Sequence, residues 1–188
     1  MNYLNKTSKS KVIEEKLLYG HQGSRGKIRK YLLKEQLGFC AYSEVYVRNI
    51  DSIHIEHFDP RLKNTDNDNY YNWYAVKAWM NENRPKKIDK YLPILSPYND
   101  IYKRIKYEND AFMPKDNNDK EAINLIKFLG FNKPELVEDR LKHIQRLKSL
   151  KDLLNDDDFI NHFKRNKEEL SFITALESEF NIDFKSLL

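Results

Sequence analysis

Apolar residues recur at helical spacing in the first part of the chain. The residues that carry this pattern are Val12, Leu17, Leu18, Ile28, Leu32 and Leu33. They predict two helices, over residues 9–19 and 24–37. Gly20 to Gly23 interrupt the pattern, and Gly38 follows the second helix, where glycine commonly ends one.

The same spacing predicts a helical C-terminal third. A helix is expected to begin near Asp119, to present its apolar residues up to Leu129 and to end at Gly130. Pro134 is expected in the first turn of a longer helix that runs to about residue 154, because a first-turn proline sacrifices no helical hydrogen bond. Two shorter helices are expected over residues 157–167 and 169–179.

The middle of the chain follows a different pattern. Residues 44–57 alternate and are rich in Val, Ile and Tyr, which predicts two short strands joined by a turn at residues 49–52. A helix is expected over residues 75–83 and a hairpin around residues 107–111. Residues 58–71 form a long polar loop, and such a loop inside a domain is usually functional or disordered. It contains Asn64, Asp66, Asn67, Asp68 and Asn69.

Composition indicates a packed protein. Hydrophobic residues make up 40% of the 188 residues and aromatic residues 13%, enough to bury a core and to exclude wholesale disorder. No apolar run approaches the roughly 18 residues of a membrane span. The N-terminus has no apolar segment typical of a signal peptide, so the cytoplasm is the expected compartment. Cys40 is the single cysteine, which excludes an internal disulfide.

The net charge of +4 is unevenly distributed. Residues 1–50 carry ten Lys and Arg against four Asp and Glu, whereas residues 151–188 carry five against nine. A basic front suits a polyanion such as nucleic acid, and an acidic tail suits a protein partner instead. Lysine-rich helices that are simply solvated explain the first half equally well.

One segment, Ile55-Glu56-His57-Phe58-Asp59-Pro60, carries candidate chemistry together with Asn72 and Asn81. Glu56 and Asn81 offer carboxylate and amide oxygens, which Mg²⁺ prefers as ligands. His57 can accept a proton from water near neutral pH, because its ordinary pKa is about 6.5. Asn72 is expected either to hold the imidazole or to brace the loop.

These residues resemble the active site of HNH endonucleases of the ββα-metal type, over roughly residues 40–87. The resemblance implies that His57 is the general base, that Glu56 and Asn81 bind Mg²⁺ or Mn²⁺, and that Asn72 is the central positioning residue. It also implies an α+β fold. A small ββα-metal core over residues 39–90 would lie between a basic helical segment, 1–38, and a C-terminal helical lobe, 91–188.

Of the four cysteine positions in the zinc knuckle of this family, only one carries a cysteine in this chain. Cys40-Ala41-Tyr42-Ser43-Glu44 is similar to its first half, and Lys77 and Met80 occupy the second pair of cysteine positions. One thiolate cannot form a tetrahedral zinc site, so no structural zinc is expected. Packing is expected to replace it, and the residues proposed for that packing are Tyr42, Trp73, Trp79 and Met80.

A second resemblance extends into the C-terminal third. Phe128-Leu129-Gly130-Phe131-Asn132, followed by Leu136 and Arg140, is similar to HNH proteins of bacterial anti-phage systems of the Septu and retron-associated types. Those nucleases act with an ATPase partner encoded beside them. The implied function is Mg²⁺-dependent cleavage of DNA in antiviral defence. Two alternatives stay open: an RNA nuclease, for example of tRNA, with the same site, and a non-catalytic adaptor.

Cationic residues that flank the motif are candidates for holding phosphates: Arg61, Lys63, Arg84, Lys86 and Lys87. For the metal, Asn83 is an alternative to Asn81, and Glu56 could instead serve as a structural salt-bridge partner. His54 is interpreted as structural. The acidic tail, residues 151–188, is interpreted as a surface for docking the ATPase.

Overall fold

The computed structural model describes residue 4 and residues 6–98 and 101–188, so a few residues of the predicted N-terminal segment and C-terminal lobe lie outside the description. Over the described residues it contains seven α-helices and two antiparallel sheets of two strands. The helices are α1 (Lys11–Glu14), α2 (Ser24–Glu35), α3 (Ala78–Glu82), α4 (Lys120–Leu129), α5 (Pro134–Lys151), α6 (Asp156–Arg165) and α7 (Ile173–Phe180). The strands are β1 (Ile53–His57), β2 (Trp73–Lys77), β3 (Ile105–Glu108) and β4 (Ala111–Pro114). This mixture is compatible with the expected α+β class.

The helices at the C-terminal end lie close to their predicted positions. Asp119 caps α4 by accepting from the Ala122 N–H, and Gly130 ends it in the left-handed conformation. Pro134 begins α5 as expected. The last helix starts later than predicted, because Lys167–Leu170 forms a 3₁₀ turn and Phe172 has a φ of 62°. The helix predicted over residues 9–19 is reduced to the single turn of α1.

The predicted pairing of two strands within residues 44–57 is wrong. β1 pairs with β2, from Ile53 opposite Lys77 to His57 opposite Trp73. Residues 38–47 turn back on themselves, with the Cys40 N–H donating to the Val45 carbonyl and the Val47 N–H donating to the Gly38 carbonyl. Their backbone groups are therefore satisfied locally, and β1 is left to pair with β2.

The helix predicted over residues 75–83 is wrong in its first part. Residues 75–77 belong to β2, and the helix is only α3. β2 is buried on both faces along most of its length. A strand buried on both faces presents a continuous apolar run, which periodicity cannot distinguish from a buried helix.

The predicted hairpin at residues 107–111 is confirmed. β3 and β4 pair from Ile105 opposite Pro114 to Glu108 opposite Ala111. Asn109 and Asp110 form the turn with φ values of 49° and 64°. Two positive φ values in a two-residue turn match the twist of the flanking strands, and Asn and Asp tolerate this conformation better than most residues.

The sheet of β1 and β2 lies between two hydrophobic clusters. Trp73 and Ala75 face the smaller cluster, which packs α1 and α2 against the sheet. Tyr74 and Val76 face the larger cluster, which extends from Phe39 to Phe184. The sheet is therefore held from both faces, and its ends provide a rigid support for side chains. No helix in the described part of the chain is both long and apolar enough to cross a bilayer.

At the positions that correspond to the zinc knuckle, the described residues pack together and form hydrogen bonds. Cys40 is fully buried and its Sγ accepts from the Lys77 N–H at 3.3 Å. Tyr42 and Met80 belong to the same cluster as Cys40. Trp73 belongs to the other cluster, and Trp79 is partly exposed, with an exposed fraction of 37%. Of the four residues proposed for this packing, two therefore share the cluster of Cys40.

Candidate active site

A cleft of about 480 Å³ opens where β1, α2 and α3 meet. Three of the four motif residues, Glu56, His57 and Asn81, line it. Five cationic side chains complete much of its wall: Arg25, Arg29, Lys63, Arg84 and Lys86. The structure thus brings the predicted metal ligands and the predicted base to one positively charged surface.

The end of β1 allows neighbouring residues to share this cleft. Successive strand residues normally point to opposite faces, yet Glu56 and His57 both line the cleft because His57 is the last residue of the strand. Both side chains are buried, with exposed fractions of 7% and 4%. The His57 ring packs edge-on against Tyr19, with the ring centres 4.5 Å apart.

A carboxylate that the sequence did not single out holds His57. The Nε2 atom of His57 lies 3.1 Å from Oδ1 and 3.2 Å from Oδ2 of Asp68. Asp68 is itself fixed by the Trp73 indole N–H and by the Asn64 backbone N–H. Because an ionised carboxylate only accepts hydrogen bonds, it favours the tautomer with the proton on Nε2. Nδ1 is then the nitrogen that can accept a proton.

The electrostatic setting keeps His57 neutral. Burial lowers the pKa of His57 below its ordinary value, and nearby Lys63 lowers it further, while Asp68 opposes both. The net direction is downward. A neutral imidazole near pH 7 is the form that a general base requires.

Asp68 was not predicted because its role depends on the path of the loop. The long polar loop was itself a signal of function, but it offers several Asn and Asp residues of similar chemistry. Asn64 turns the loop with a φ of 63°, and Asp68 then returns to a position against His57. Only the folded loop shows which carboxylate makes this contact.

Asn72 braces the loop that follows β1. Its Oδ1 accepts from the Asp59 N–H at 2.8 Å, and its Nδ2 donates to the Asp59 carbonyl at 3.0 Å. The Phe58 N–H donates to the Asn72 carbonyl at 2.9 Å. These bonds tie the exit of β1 to the entry of β2. Of the two roles considered from the sequence, the side chain therefore makes the bracing contacts.

Glu56 is engaged in a buried ion pair. Nη2 of Arg84 contacts Oε1 of Glu56 and also donates to the His57 carbonyl at 2.8 Å. The Arg84 guanidinium packs 4.7 Å from the centre of the Phe128 ring. Arg84 was considered as a phosphate ligand, but its side chain is almost fully buried and it serves Glu56. Oε1 is thus one Glu56 oxygen that the arginine engages.

Asn81 lines the cleft and forms a hydrogen bond to His54. Its Nδ2 lies 3.1 Å from Nδ1 of His54, which leaves Oδ1 outside that bond. His54 precedes Glu56 by two residues, so both side chains belong to the same face of β1. Asn83, the alternative ligand, is exposed and donates to the Trp79 carbonyl.

The donor set fits a hard divalent cation in type. Mg²⁺ takes one or two protein carboxylates, prefers oxygen and keeps several waters. Glu56 supplies a carboxylate, which Arg84 engages through Oε1, and Asn81 supplies an amide oxygen outside its bond to His54; both residues line one cleft. Among the described residues no group of three His, Cys, Asp or Glu side chains is arranged around a common point. Arg84 competes with a divalent cation for Glu56, because its positive charge already neutralises that carboxylate.

The predicted phosphate-binding residues separate into two groups. Lys63 and Lys86 line the cleft. Arg61 lies outside the lining and forms ion pairs with Asp59 at 2.7 Å and with Asp89 at 3.1 Å. Lys87 is exposed and is also outside the lining.

One curated protein is similar to most of the chain. It comes from Vibrio cholerae serotype O1 biovar El Tor and is described as a "Retron Vc95 putative HNH endonuclease". The two sequences are 29% identical over 160 residues, which cover 78% of this chain and 77% of the Vibrio protein. No family profile matches the chain, and no solved structure matches it. The similarity thus supports an HNH-type nuclease with a retron association.

Proposed function

We propose that this chain is a divalent-metal-dependent endonuclease that hydrolyses phosphodiester bonds of DNA at an HNH-type site. The observation that carries the proposal is the cationic cleft, which brings Glu56, His57 and Asn81 together with Asp68 behind the histidine. The order of β1, β2 and α3 supports it, because this is the ββα arrangement that the resemblance implies.

His57 acts as the general base in this proposal. Its Nδ1 accepts a proton from the attacking water, whose oxygen forms a new bond to phosphorus while one ester P–O bond breaks. The leaving oxygen takes a proton from solvent. Asp68 holds the Nε2–H and stabilises the imidazolium as it forms. Asp68 is therefore a positioning residue that acts through His57.

Glu56 and Asn81 would hold the divalent cation, Mg²⁺ or Mn²⁺. When bound, such a cation neutralises charge on the phosphate and assists the departing oxygen. Lys63 and Lys86 line the same cleft and bind nonbridging phosphate oxygens. Asn72 keeps the loop after β1 in the conformation that presents His57.

The biological setting rests on the Vibrio relative, whose description places it in a retron. That similarity supports a retron association for this chain, and the antiviral role is proposed from the resemblance of its motifs. The ATPase partner, and the docking of that partner on residues 151–188, stay predictions from the resemblance.

The Glu56–Arg84 ion pair favours a second candidate function. A carboxylate already neutralised by a buried arginine needs no metal, as expected for a degenerate, non-catalytic adaptor. Thermal unfolding with and without Mn²⁺ separates the two candidates. A nuclease is stabilised by Mn²⁺ in a manner that Glu56→Gln abolishes, whereas an adaptor shows no such dependence.

The direct test is cleavage of supercoiled plasmid in Mg²⁺, in Mn²⁺ and in EDTA. Wild type is compared with His57→Ala and with His21→Ala, which removes an exposed histidine outside the cleft lining. Metal-dependent cutting should persist in His21→Ala and fall by roughly 10²- to 10⁴-fold in His57→Ala. A His57→Ala protein that cuts as fast as wild type would refute the mechanism.

A further inference from the structure

Part of the wall of the cleft is formed by α2, which the motif does not include. Arg25, Gly26 and Arg29 of this helix line the cleft together with His57. We propose that Arg25 and Arg29 bind the phosphodiester backbone of the nucleic acid and position one strand against His57. This inference rests on the proposed function for its substrate, but it is tested by binding alone.

Tyr19 connects this wall to the proposed base. The Arg25 guanidinium lies over the Tyr19 ring at 4.5 Å from its centre, and the same ring packs edge-on against His57. The Nζ atom of Lys63 lies 5.6 Å from the centre of that ring. One tyrosine ring therefore separates the Arg25 charge from the His57 imidazole, so a phosphate held by Arg25 lies beside the reacting position.

The charges of this wall are not neutralised by the protein. Within residues 6–98 and 101–188, no carboxylate lies at ion-pair distance from Arg25 or Arg29. Instead, Nε of Arg25 donates to the Tyr19 carbonyl and Nη1 of Arg29 donates to the Ile53 carbonyl, both at 3.2 Å. These bonds orient the guanidinium groups and leave their charge and remaining N–H groups for a phosphate.

The cleft itself adds almost no negative charge. Glu56 is the single carboxylate among the described lining residues, and Arg84 neutralises it, while the Asp68 carboxylate lies behind His57 and outside the lining. Because the charges of that buried pair cancel, the unpaired cations determine the electrostatic potential of the cleft. A concave surface with one sign of charge concentrates an oppositely charged ligand.

The spacing along α2 suits a polymer with regular charges. Arg25 and Arg29 are one helical turn apart, about 6 Å along the axis. That distance is close to two nucleotide steps of about 3.4 Å each. Between them Gly26 has no side chain, and a Cβ built there would meet no atom within 4 Å. The backbone of a bound strand can therefore approach this face closely.

The test is equilibrium binding of a fluorescent DNA duplex in EDTA, measured by anisotropy at several salt concentrations. Metal-free conditions separate binding from cleavage. The Arg25→Ala/Arg29→Ala protein should bind at least about tenfold more weakly than wild type. Because each phosphate contact contributes about 0.9 to the slope of log K against log salt, the slope should fall by about 1.8.

A matched control lies on the same helix. Lys30 and Lys34 have the same i, i+4 spacing, are exposed and lie outside the cleft lining. Lys30→Ala/Lys34→Ala removes the same charge and should change affinity by less than about twofold. Arg25→Lys/Arg29→Lys keeps the charge and should restore most of the affinity and slope. Thermal unfolding of each protein shows that it is folded.

The outcomes separate this inference from the proposed function. Equal weakening in the arginine and lysine double variants, or none in the arginine variant, would overturn the inference even if the wild type cleaves DNA. Selective weakening in a protein that never cleaves supports the cleft and refutes the nuclease. The same binding measurement with an RNA duplex and with a tRNA shows for which nucleic acid the affinity depends on Arg25 and Arg29.

Discussion

The cations around the cleft and those of the C-terminal helices differ in how they are paired. In the C-terminal half several described Lys and Arg side chains form ion pairs with a carboxylate, although the buried Arg140 contacts backbone carbonyls and aromatic rings instead. These ion pairs are Arg104 with Asp119 and Glu121, Lys142 with Glu138, Arg146 with Glu169, Lys148 with Glu179, and Lys151 with Asp156. Around the cleft, Arg25, Arg29 and Lys63 point to carbonyls or rings instead.

This difference shows where the protein leaves charge available for a ligand. Exposed ion pairs contribute little to folding, typically below about 1 kcal/mol, so the pairs of the C-terminal helices mainly remove free charge from that surface. Unpaired cations that line one concave surface repel each other, which opposes folding. The anionic ligand proposed above would neutralise them.

The largest expected effect concerns the buried Glu56–Arg84 ion pair of the cleft. Arg84→Ala leaves the Glu56 carboxylate buried without its partner, so the free energy of unfolding should fall by about 3–5 kcal/mol. Lys142→Ala breaks the exposed pair with Glu138 and should cost less than about 0.5 kcal/mol. Urea unfolding in EDTA measures both.

Unfolding measured with and without a divalent metal extends this prediction. If Glu56 is a metal ligand, Mn²⁺ should recover part of the stability that Arg84→Ala loses, because the cation replaces the missing positive charge. Lys142→Ala should respond to Mn²⁺ as wild type does. Similar losses in the two variants would show that the Glu56–Arg84 pair is no stronger than a surface pair.

The next effect concerns Glu44, whose carboxyl contacts Thr174 of α7. Its buried carboxyl accepts from the Thr174 N–H and hydroxyl and from the Tyr102 hydroxyl. Burial raises the pKa of Glu44 to about 7 from an ordinary value of 4.5. The folded protein therefore binds a proton that the unfolded chain releases, and this stabilisation is complete below pH 4.5 and lost as pH rises through 7.

Glu44→Gln isolates that contribution. The neutral amide keeps the shape of the side chain and can still bond to Thr174 and Tyr102. Relative to the variant, wild type should lose roughly 3 kcal/mol of unfolding free energy between pH 4.5 and pH 8. Denaturant unfolding at several pH values measures the difference. Parallel curves for the two proteins would show that the Glu44 carboxyl titrates normally.

Sequence patterns predicted the elements whose stabilising contacts are local. Helices α4 and α5 were found from their caps and from Pro134, and the hairpin from Asn109 and Asp110, because these signals act within a few residues. The pairing of β1 was missed, because its partner β2 is far along the chain. A strand buried on both faces also carries no period-2 pattern.

The site shows the same division. Spacing predicts Glu56, His57 and Asn81 as site residues, and the structure places all three at one cleft. Asp68 and the arginines of α2 were missed, because loop path and helix docking bring them there rather than sequence proximity. No spacing rule relates Arg29 to Ile53, whose carbonyl its guanidinium contacts.

A smaller effect is expected for the positioning carboxylate. Asp68→Asn can donate as well as accept, so it no longer fixes the Nε2–H tautomer of His57. Turnover should fall roughly ten- to a hundredfold, as for other residues that orient a functional histidine, while KM and metal-free DNA binding stay near wild type. Asp66→Asn, at an exposed position of the same loop, is the control. A matching loss of DNA binding would indicate a collapsed loop instead.

The smallest effect compares a paired cation with an unpaired one two residues apart. Arg61 is held by Asp59 and Asp89, whereas Lys63 lines the cleft without a described carboxylate partner. Lys63→Ala should weaken metal-free DNA binding about three- to fivefold and lower the salt slope by about 1, because it removes one phosphate contact. Arg61→Ala should change affinity less than twofold near 0.15 M salt, where a Debye length of about 8 Å screens its more distant charge. If the two variants bind DNA equally weakly, total charge rather than placement in the cleft governs binding, and the contrast between the two regions loses its functional meaning.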